Sequence, residues 1–271
     1  MPVFSRLAEL QASGEAAALC TVTRTSGSVP RREGAKMLVF PDGSIEGTIG
    51  GGEMEARVVA EALAGLADGQ SRTLEYSLVD SSRGDPGICG GTVEVFVEPI
   101  QPQPAILIIG AGHVGRALAQ LAGFLGYRVL VSDDRPEMAT QENVPHAQSV
   151  YPIPIAEIPN KLDINSQTYI ALTTRNAQID IEGLPALLDS PAAYIGVIGS
   201  KKRWAEARQK MEAKGVDKTK LDRVTSPMGL ELNAETPEEI ALSIMAQIVA
   251  LRRRGDGTHM ASGESLPSHT G

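Results

Sequence analysis

The chain has 271 residues, with 25 Lys and Arg against 33 Asp and Glu, a net charge of −8 at pH 7, and 42% apolar residues. Such a length and composition are typical of a globular protein with two modest domains. The acidic balance argues against nucleic acid or an anionic membrane surface as a whole-protein partner. Two cysteines rule out a disulfide framework and favour a reducing, cytoplasmic setting. The chain shows neither a signal-peptide pattern nor an apolar run long enough to span a membrane.

The first hundred residues predict a small α+β domain, because short alternating strands and two amphipathic helices are separated by turn residues. A Pro-Asp-Gly turn between two apolar segments is typical of a hairpin. The predicted elements are a helix at 3–12, a strand at 16–25, hairpin strands at 36–40 and 44–49, a helix at 53–69, and strands in TLEYSLV and TVEVFVEP.

A proline-rich linker at 101–104 separates this domain from a region in which strands and helices alternate. That alternation predicts a Rossmann-like domain at 105–254, with a doubly wound parallel sheet covered by helices on both faces. The tail at 255–271 lacks apolar periodicity and is predicted to be disordered. The predicted strands are 105–109, 128–133, 168–173 and 193–198, and the predicted helices are 113–125, 178–189, 200–214 and 237–254.

The segment AILIIGAGHVGR predicts a phosphate-binding turn, because Gly110, Gly112 and Gly115 have G-x-G-x-x-G spacing between a strand and a helix. Asp133 ends the next apolar run, where an acid accepts hydrogen bonds from ribose hydroxyls in dinucleotide-binding domains. The alternative is a tight packing turn without a ligand. His113 opens the helix, as either a hydrogen-bonding group beside the ligand or a local cap.

A second turn, GSKKRW, places Ser200 and Lys201 after a predicted strand, where ligands bind in open α/β sheets. The alternative is an ordinary serine N-cap followed by solvated lysines.

Three glycine-rich segments of the first domain predict a second anion site, since glycine allows close backbone approach to a ligand and helix N-termini attract anions. The alternative is a turn-rich small domain with a structural cysteine. Cys89 lies between glycines, where an accessible thiol of lowered pKa is expected, whereas Cys20 is predicted to be core. The residues singled out here are Arg31, Arg32, Gly50, Gly51, Gly52, Cys89, Gly90 and Gly91.

Taken together, these motifs resemble the xanthine dehydrogenase accessory family of XdhC/CoxI type over about residues 15–254. The motifs that carry the resemblance are TxGSxPRxxGAKM, GTIGGGxxE, CGGxVEVFVEP, IxGAGHV, DDRPE and PMGLxxxAxTPEEIALSI.

The resemblance implies an accessory protein and not an enzyme, and no catalytic residue is assigned. It implies that the chain binds the molybdenum cofactor, a molybdopterin in monophosphate or nucleotide-extended form. The chain would hold it while a cysteine desulfurase exchanges an oxo for a sulfido ligand, and deliver it to a molybdenum hydroxylase. On this interpretation the glycine turn holds phosphate, the arginine pair adds charge, and Cys89 is the candidate molybdenum ligand.

The sequence departs from the family pattern at three points. Many relatives have GGGC where this chain has Glu53, which leaves Cys89 as the reactive thiol. Relatives often have Thr-His where this chain has Thr174 and Arg175, and Asn233 stands at a usual glycine.

Two other functions are weighed against the cofactor carrier: an NAD(P)-dependent oxidoreductase and a nucleotide-sensing module. The glycine turn favours the oxidoreductase, but no acid–base pair at a recognisable spacing accompanies it. The last helix presents Ile240, Ile244, Ile248 and Leu251 on one face, which is either core or the surface of a homodimer.

Overall fold

The computed structural model describes residues 3–78 and 90–258. It divides into two compact units between Gln103 and Pro104. Cys89 and the final residues 259–271 lie outside the described ranges. Among the described residues, no helix has the length and apolar character needed to cross a bilayer.

The N-terminal unit is an antiparallel five-stranded sheet in the order β3-β2-β1-β5-β4. Helix α2 packs on one face through Met54, Val58 and Ala62, and α1 packs on the other through Leu10. Successive side chains of β1 point to opposite faces of the sheet, as its period-two pattern predicts. The elements are α1 (Val3–Ser13), β1 (Ala17–Ser26), β2 (Lys36–Val39), β3 (Ile45–Gly47), α2 (Gly52–Asp68), β4 (Arg72–Ser77) and β5 (Thr92–Ile100).

The C-terminal unit is a parallel six-stranded sheet in the order β11-β10-β9-β6-β7-β8. The chain starts in the middle at β6, winds outward to β8, then returns to β9 and winds outward in the other direction. The elements are β6 (Ala105–Ile109), α3 (His113–Phe124), β7 (Arg128–Ser132), β8 (Ser149–Tyr151), α4 (Ile158–Lys161), β9 (Thr168–Leu172), α5 (Ala177–Gly183), β10 (Tyr194–Val197), α6 (Lys201–Ala213), α7 (Lys218–Leu221), β11 (Val224–Thr225) and α8 (Pro237–Arg253).

Helices cover both faces of this sheet, so the predicted doubly wound fold is confirmed. On β6, Ile106 and Ile108 face the core under α3 and α8, while Leu107 and Ile109 face the core under α5 and α6. A strand buried on both sides is apolar at every position, and β6 is fully buried. The parallel winding brings the carboxyl ends of β6, β7, β9 and β10 to one edge.

Helix α8 begins where the TPEE motif predicts a helix start. The Thr236 side chain accepts a hydrogen bond from the Glu239 backbone N–H, the Glu239 side chain accepts one from the Thr236 N–H, and Pro237 occupies the first turn. Ile244 and Ile248 of its apolar face are buried, Ile240 is partly buried, and Leu251 is exposed. Most of that face is therefore core.

The predicted helix at 178–189 is shorter in the structure. Helix α5 ends at Gly183 and a 3-10 turn continues over Leu184–Leu187. Pro185 lacks the backbone N–H that a continuing α-helix needs. Close packing fixes the end as well, because a Cβ on Gly183 would lie 2.4 Å from Ile155 Cβ.

Candidate functional site

A cavity of about 470 Å³ lies at the carboxyl edge of the parallel sheet, where the two halves diverge from β6. Ligands bind at this position in open α/β sheets. Its wall combines an isoleucine-rich side with segments that follow four strands. These segments include Gly110, Asp133, Asp134, Arg135, Thr174, Arg175, Gly199 and Arg203.

The β6–α3 turn brings its three glycines together at this cavity. A Cβ on Gly115 would lie 1.9 Å from the Gly110 carbonyl oxygen, so the turn can close only with glycine there. Gly112 is the N-cap of α3, and a Cβ on it would have nothing within 4 Å. The N-terminus of α3 is therefore open toward the cavity, as an anion-binding turn requires.

His113 is the first residue of α3, is exposed, and lines this cavity. Its imidazole makes no hydrogen bond to the part of the chain that the structure describes. It does not act as a side-chain N-cap, since the cap residue is Gly112.

Asp133 lies under the turn with 3% of its surface exposed. One carboxylate oxygen accepts hydrogen bonds from the Ala111 N–H at 2.8 Å and Arg135 Nη2 at 2.9 Å. The other accepts from the Arg135 N–H at 3.0 Å and Arg135 Nε at 2.9 Å. Asp133 thus fixes both the glycine turn and the Arg135 side chain. A ribose hydroxyl would have to compete with the Ala111 N–H and with Arg135 for the carboxylate oxygens.

Asp134 and Arg175 form a two-pronged ion pair between the segments that follow β7 and β9. The Nη1–Oδ1 and Nη2–Oδ2 distances are 2.6 and 2.8 Å. The guanidinium beside Asp134 holds the pKa of that carboxyl below its usual range, despite partial burial. Because β6 lies between β7 and β9, the pair bridges the strand that carries the glycine turn.

Arg203 occupies the β10 side of the cavity. Its Nη2 donates to Asp180 Oδ2 at 2.8 Å, and Asp180 also accepts from the Thr174 hydroxyl. Burial raises the pKa of Asp180, and the hydrogen bonds from Thr174 and Arg203 oppose that shift. Arg203 Nε is buried without a hydrogen-bond partner in the described structure. A donor in this state fits a site that receives an acceptor-rich ligand.

Ser200 and Lys201 lie beside the cavity but are not part of its wall. The Ser200 hydroxyl caps α6 by accepting a hydrogen bond from the Arg203 N–H at 3.1 Å, and Lys201 is exposed. This geometry is that of the serine N-cap. The turn contributes Arg203 to the cavity wall, three residues beyond the capping serine.

The glycine-rich segments of the N-terminal unit converge around residues 26–30. A Cβ on Gly91 would lie 2.4 Å from the carbonyl oxygens of Ser26 and Ser28. A Cβ on Gly27 would lie 2.9 Å from the Gly90 carbonyl oxygen. On the other side, a Cβ on Gly50 would lie 3.3 Å from Pro30 Cβ. Close backbone packing accounts for much of the glycine in this region.

The predicted anion cradle at Gly50, Gly51 and Gly52 holds a carboxylate of the chain itself. Glu55 Oε1 accepts hydrogen bonds from the N–H groups of Ile49, Gly50 and Gly51 at 3.0, 3.2 and 2.8 Å. The Thr48 hydroxyl donates to the same oxygen. Gly51 has φ 83°, which lets its N–H turn inward. The motif GTIGGGxxE therefore encodes both the donors and the anion, so an external phosphate would have to displace Glu55.

Arg31 and Arg32 lie directly after Pro30 in an exposed loop. Glu33 fixes that loop, since its carboxylate accepts hydrogen bonds from the Thr25 N–H and hydroxyl. Neither arginine forms an ion pair with another residue in the described ranges. Both are therefore available to an anion.

The two cysteines lie in different parts of the chain. Cys20 is fully buried in β1, and burial raises the pKa of its thiol to about 12, as expected for a core residue. Cys89, the candidate molybdenum ligand, lies outside the described ranges. Within those ranges, no group of three or more His, Cys, Asp or Glu residues is placed to hold a metal ion.

Three arginines that follow strands in the cavity wall were not predicted as site residues: Arg135, Arg175 and Arg203; nor was a fourth arginine of the wall, Arg116 of α3. The motif DDRPE contains the first of them, directly after two acids at a strand end. The other two follow different strands, and only the parallel pairing of β6, β9 and β10 brings them together.

Comparison with known proteins identifies related chains. The E. coli (strain K12) protein YqeB is 33% identical over 276 residues, which cover 99% of this chain and 49% of YqeB. The chain therefore spans about half the length of that relative. An E. coli protein named molybdenum cofactor insertion chaperone PaoD is 24% identical, with coverage of 89% and 85%.

The same fold occurs in a solved Bacillus halodurans structure described as a xanthine dehydrogenase. The TM-score is 0.50 at 24% identity, covering 96% of this chain and 98% of the other. A family profile described as the XdhC Rossmann domain matches residues 106–248, and a profile for the XdhC and CoxI family matches residues 10–77. The first match alone covers more than half of the chain, and the chain belongs to the XdhC and CoxI family.

Proposed function

We propose that this chain is a carrier that binds the molybdenum cofactor and inserts it into a molybdenum hydroxylase of xanthine dehydrogenase type. The finer part of the proposal is that the chain holds the cofactor while a cysteine desulfurase exchanges an oxo for a sulfido ligand. Membership of the XdhC and CoxI family and similarity to a protein named as an insertion chaperone support a carrier role.

The observation that carries the proposal is the cavity at the carboxyl edge of the parallel sheet. Four arginines line it, and both carboxylates in its wall are paired with two of them. The charged side chains of its wall are therefore mainly donors, in a protein whose net charge is −8. The open helix N-terminus at Gly112 and the unpartnered Nε of Arg203 fit a phosphate-bearing heterocycle.

When bound, the cofactor supplies the molybdenum centre that the recipient enzyme needs for its redox chemistry. In this chain the glycine turn and α3 would hold a phosphate, and Arg203 would contact an acceptor on the ligand. Asp133 would keep the turn closed. In the N-terminal unit we assign ligand contacts to Arg31, Arg32, Gly90 and Gly91, and molybdenum ligation to Cys89.

The proposed partners are an apo molybdenum hydroxylase, a cysteine desulfurase and a second copy of this chain. Leu242 and Val249 lie two turns apart on one side of α8 and are exposed, and an exposed apolar strip of this kind is compatible with an assembly surface.

Insertion is tested directly by activation of a recipient. Cofactor-loaded chain is mixed with a cofactor-free xanthine dehydrogenase-type enzyme, and substrate turnover by that enzyme is followed. We expect activity to rise with added chain and to saturate near one equivalent per recipient active site. Free cofactor at the same concentration is the control.

Assays of the purified chain for bound pterin, nucleotide binding and substrate turnover distinguish a carrier from an oxidoreductase. A chain that retains no pterin, binds NAD(P)H saturably and turns over a substrate would contradict the proposal. Saturable nucleotide binding with neither turnover nor pterin would favour the sensing module instead.

A further inference from the structure

The acid at the end of β7, Asp133, has no free acceptor position for a ribose hydroxyl. A carboxylate offers about four acceptor positions, and all four of Asp133 are used, by the Ala111 N–H and by three nitrogens of Arg135. In dinucleotide-binding domains, the acid at this position accepts hydrogen bonds from the ribose. While Arg135 keeps its place, Asp133 has no acceptor position left for a nucleoside.

The Arg135 guanidinium can donate a hydrogen bond to the ligand. Its side chain is one-third exposed and forms part of the cavity wall. Its Nε and Nη2 atoms are held by Asp133, whereas Nη1 donates to none of the residues that the structure describes. A guanidinium fixed in this way loses little side-chain freedom on binding an anion.

The negative charge of the neighbouring acid, Asp134, is also balanced by an ion pair. Arg175 donates two hydrogen bonds to Asp134. Both carboxylates at the end of β7 are therefore paired with an arginine, which weakens their repulsion of an anionic ligand. Across the cavity, Arg203 adds a buried Nε without a partner. A terminal phosphate monoester carries nearly two negative charges at pH 7, more than each phosphate of an internal pyrophosphate, and suits such a wall best.

We propose that the C-terminal unit selects the monophosphate form of the pterin cofactor over its nucleotide-extended form, with Arg135 as the specificity-determining residue. Arg135 covers the acid that a nucleoside ribose would need and offers its guanidinium to the terminal phosphate. This inference rests on the proposed function and specifies the ligand of the same site.

The test compares two ligands on the full-length chain: molybdopterin monophosphate and its cytidine dinucleotide form, each released from a purified enzyme. Dissociation constants are measured by titration of pterin fluorescence. We expect the unmodified chain to bind the monophosphate form at least about tenfold more tightly, a difference of about 1.4 kcal/mol. This comparison needs no variant, so it stands even if a substitution disturbs folding.

Arg135→Ala should reverse the preference. It removes the phosphate donor and frees the two acceptor positions on Asp133 that Arg135 Nε and Nη2 occupy, while the backbone N–H of residue 135 remains. Monophosphate affinity should therefore fall and dinucleotide affinity should rise. In the double variant Arg135→Ala, Asp133→Asn, the gained dinucleotide affinity should be lost. Arg208→Ala is the matched control, since Arg208 pairs with Glu212 and Asp222 and lines no part of this cavity.

The outcomes separate the two proposals. Equal affinity for both forms, or a preference that Arg135→Ala leaves unchanged, overturns the selectivity and leaves the carrier function standing. Binding of neither form overturns the carrier function as well.

Discussion

At the residue scale, Glu55 has an organising role in the N-terminal unit. Burial works against ionisation of its carboxyl group and is the largest single influence on it. The hydrogen bonds from Thr48 and from the backbone N–H groups of Gly51, Ile49 and Gly50 together outweigh burial, so the pKa of Glu55 is lowered. The ionised side chain therefore stabilises the folded state, by fixing the segment that leads into α2.

Glu55→Gln should destabilise the chain at pH 7 by about 1–2 kcal/mol, because charge-assisted hydrogen bonds are replaced by weaker ones. Since the folded pKa is lowered, the contribution of Glu55 is fully present above its unfolded value of about 4.3 and is lost as pH falls through the folded pKa. Urea unfolding at pH 7 and pH 3 measures both effects, and the difference between the proteins should shrink at pH 3.

Glu53→Gln is the control for this experiment. Glu53 forms an exposed pair with Arg57 at 2.6 Å on the same helix, and such pairs contribute under about 1 kcal/mol. An equal loss of stability in both variants would show that the cradle contributes no more than a surface ion pair.

The two cysteines should respond differently to the same substitution. Cys20→Ser buries a hydroxyl in the sheet core and should cost about 1–3 kcal/mol of stability. Cys89→Ser should leave the unfolding free energy nearly unchanged and reduce the molybdenum retained per chain. Thermal unfolding and metal analysis of both variants check this, and unchanged retention in Cys89→Ser would rule out the thiol as a ligand.

At the element scale, we expect two glycines of the β6–α3 turn to have different roles: Gly115 is needed for folding and Gly112 for ligand binding. Gly115→Ala forces a Cβ against the Gly110 carbonyl oxygen and should destabilise the unit by about 1–3 kcal/mol or more. Gly112→Ala meets nothing within 4 Å, so its cost should be limited to about 1 kcal/mol at a helix N-cap.

Gly112→Ala should nonetheless weaken ligand binding, since it adds a methyl group in open space at the N-cap of α3, a position that lines the cavity. Denaturant unfolding and cofactor titration of the two variants give the comparison. Full cofactor affinity in a stable Gly112→Ala protein would mean that no phosphate lies at this turn.

The long elements could be predicted from the sequence because their apolar periodicity is strong. Residues 105–109 and 237–254 are examples, and a glycine turn or a capping motif marks the start of a helix. Strands β8 and β11 were missed because three and two residues are too few to show a pattern. The glycine turn was found by its spacing, whereas the pairing of Asp133 with Arg135 depends on side-chain geometry that spacing does not report.

At the scale of the whole molecule, each unit has a core of its own. The C-terminal unit packs two separate clusters on the two faces of its sheet. We expect a fragment of residues 104–258 to fold alone, with a single cooperative urea transition, because domain-sized units of this kind bury enough apolar surface. Far-UV circular dichroism and urea titration check this, and a gradual, non-cooperative transition would contradict it.

The central claim is that this chain carries the molybdenum cofactor, and cofactor content tests it most directly. The full-length protein is purified from cells that make the cofactor, and molybdenum and pterin are measured per chain. We predict that both co-purify in equal amounts, approaching one per chain, without NAD(P)H turnover. A protein that contains neither, cannot be loaded with released cofactor, and oxidises NAD(P)H would contradict the account.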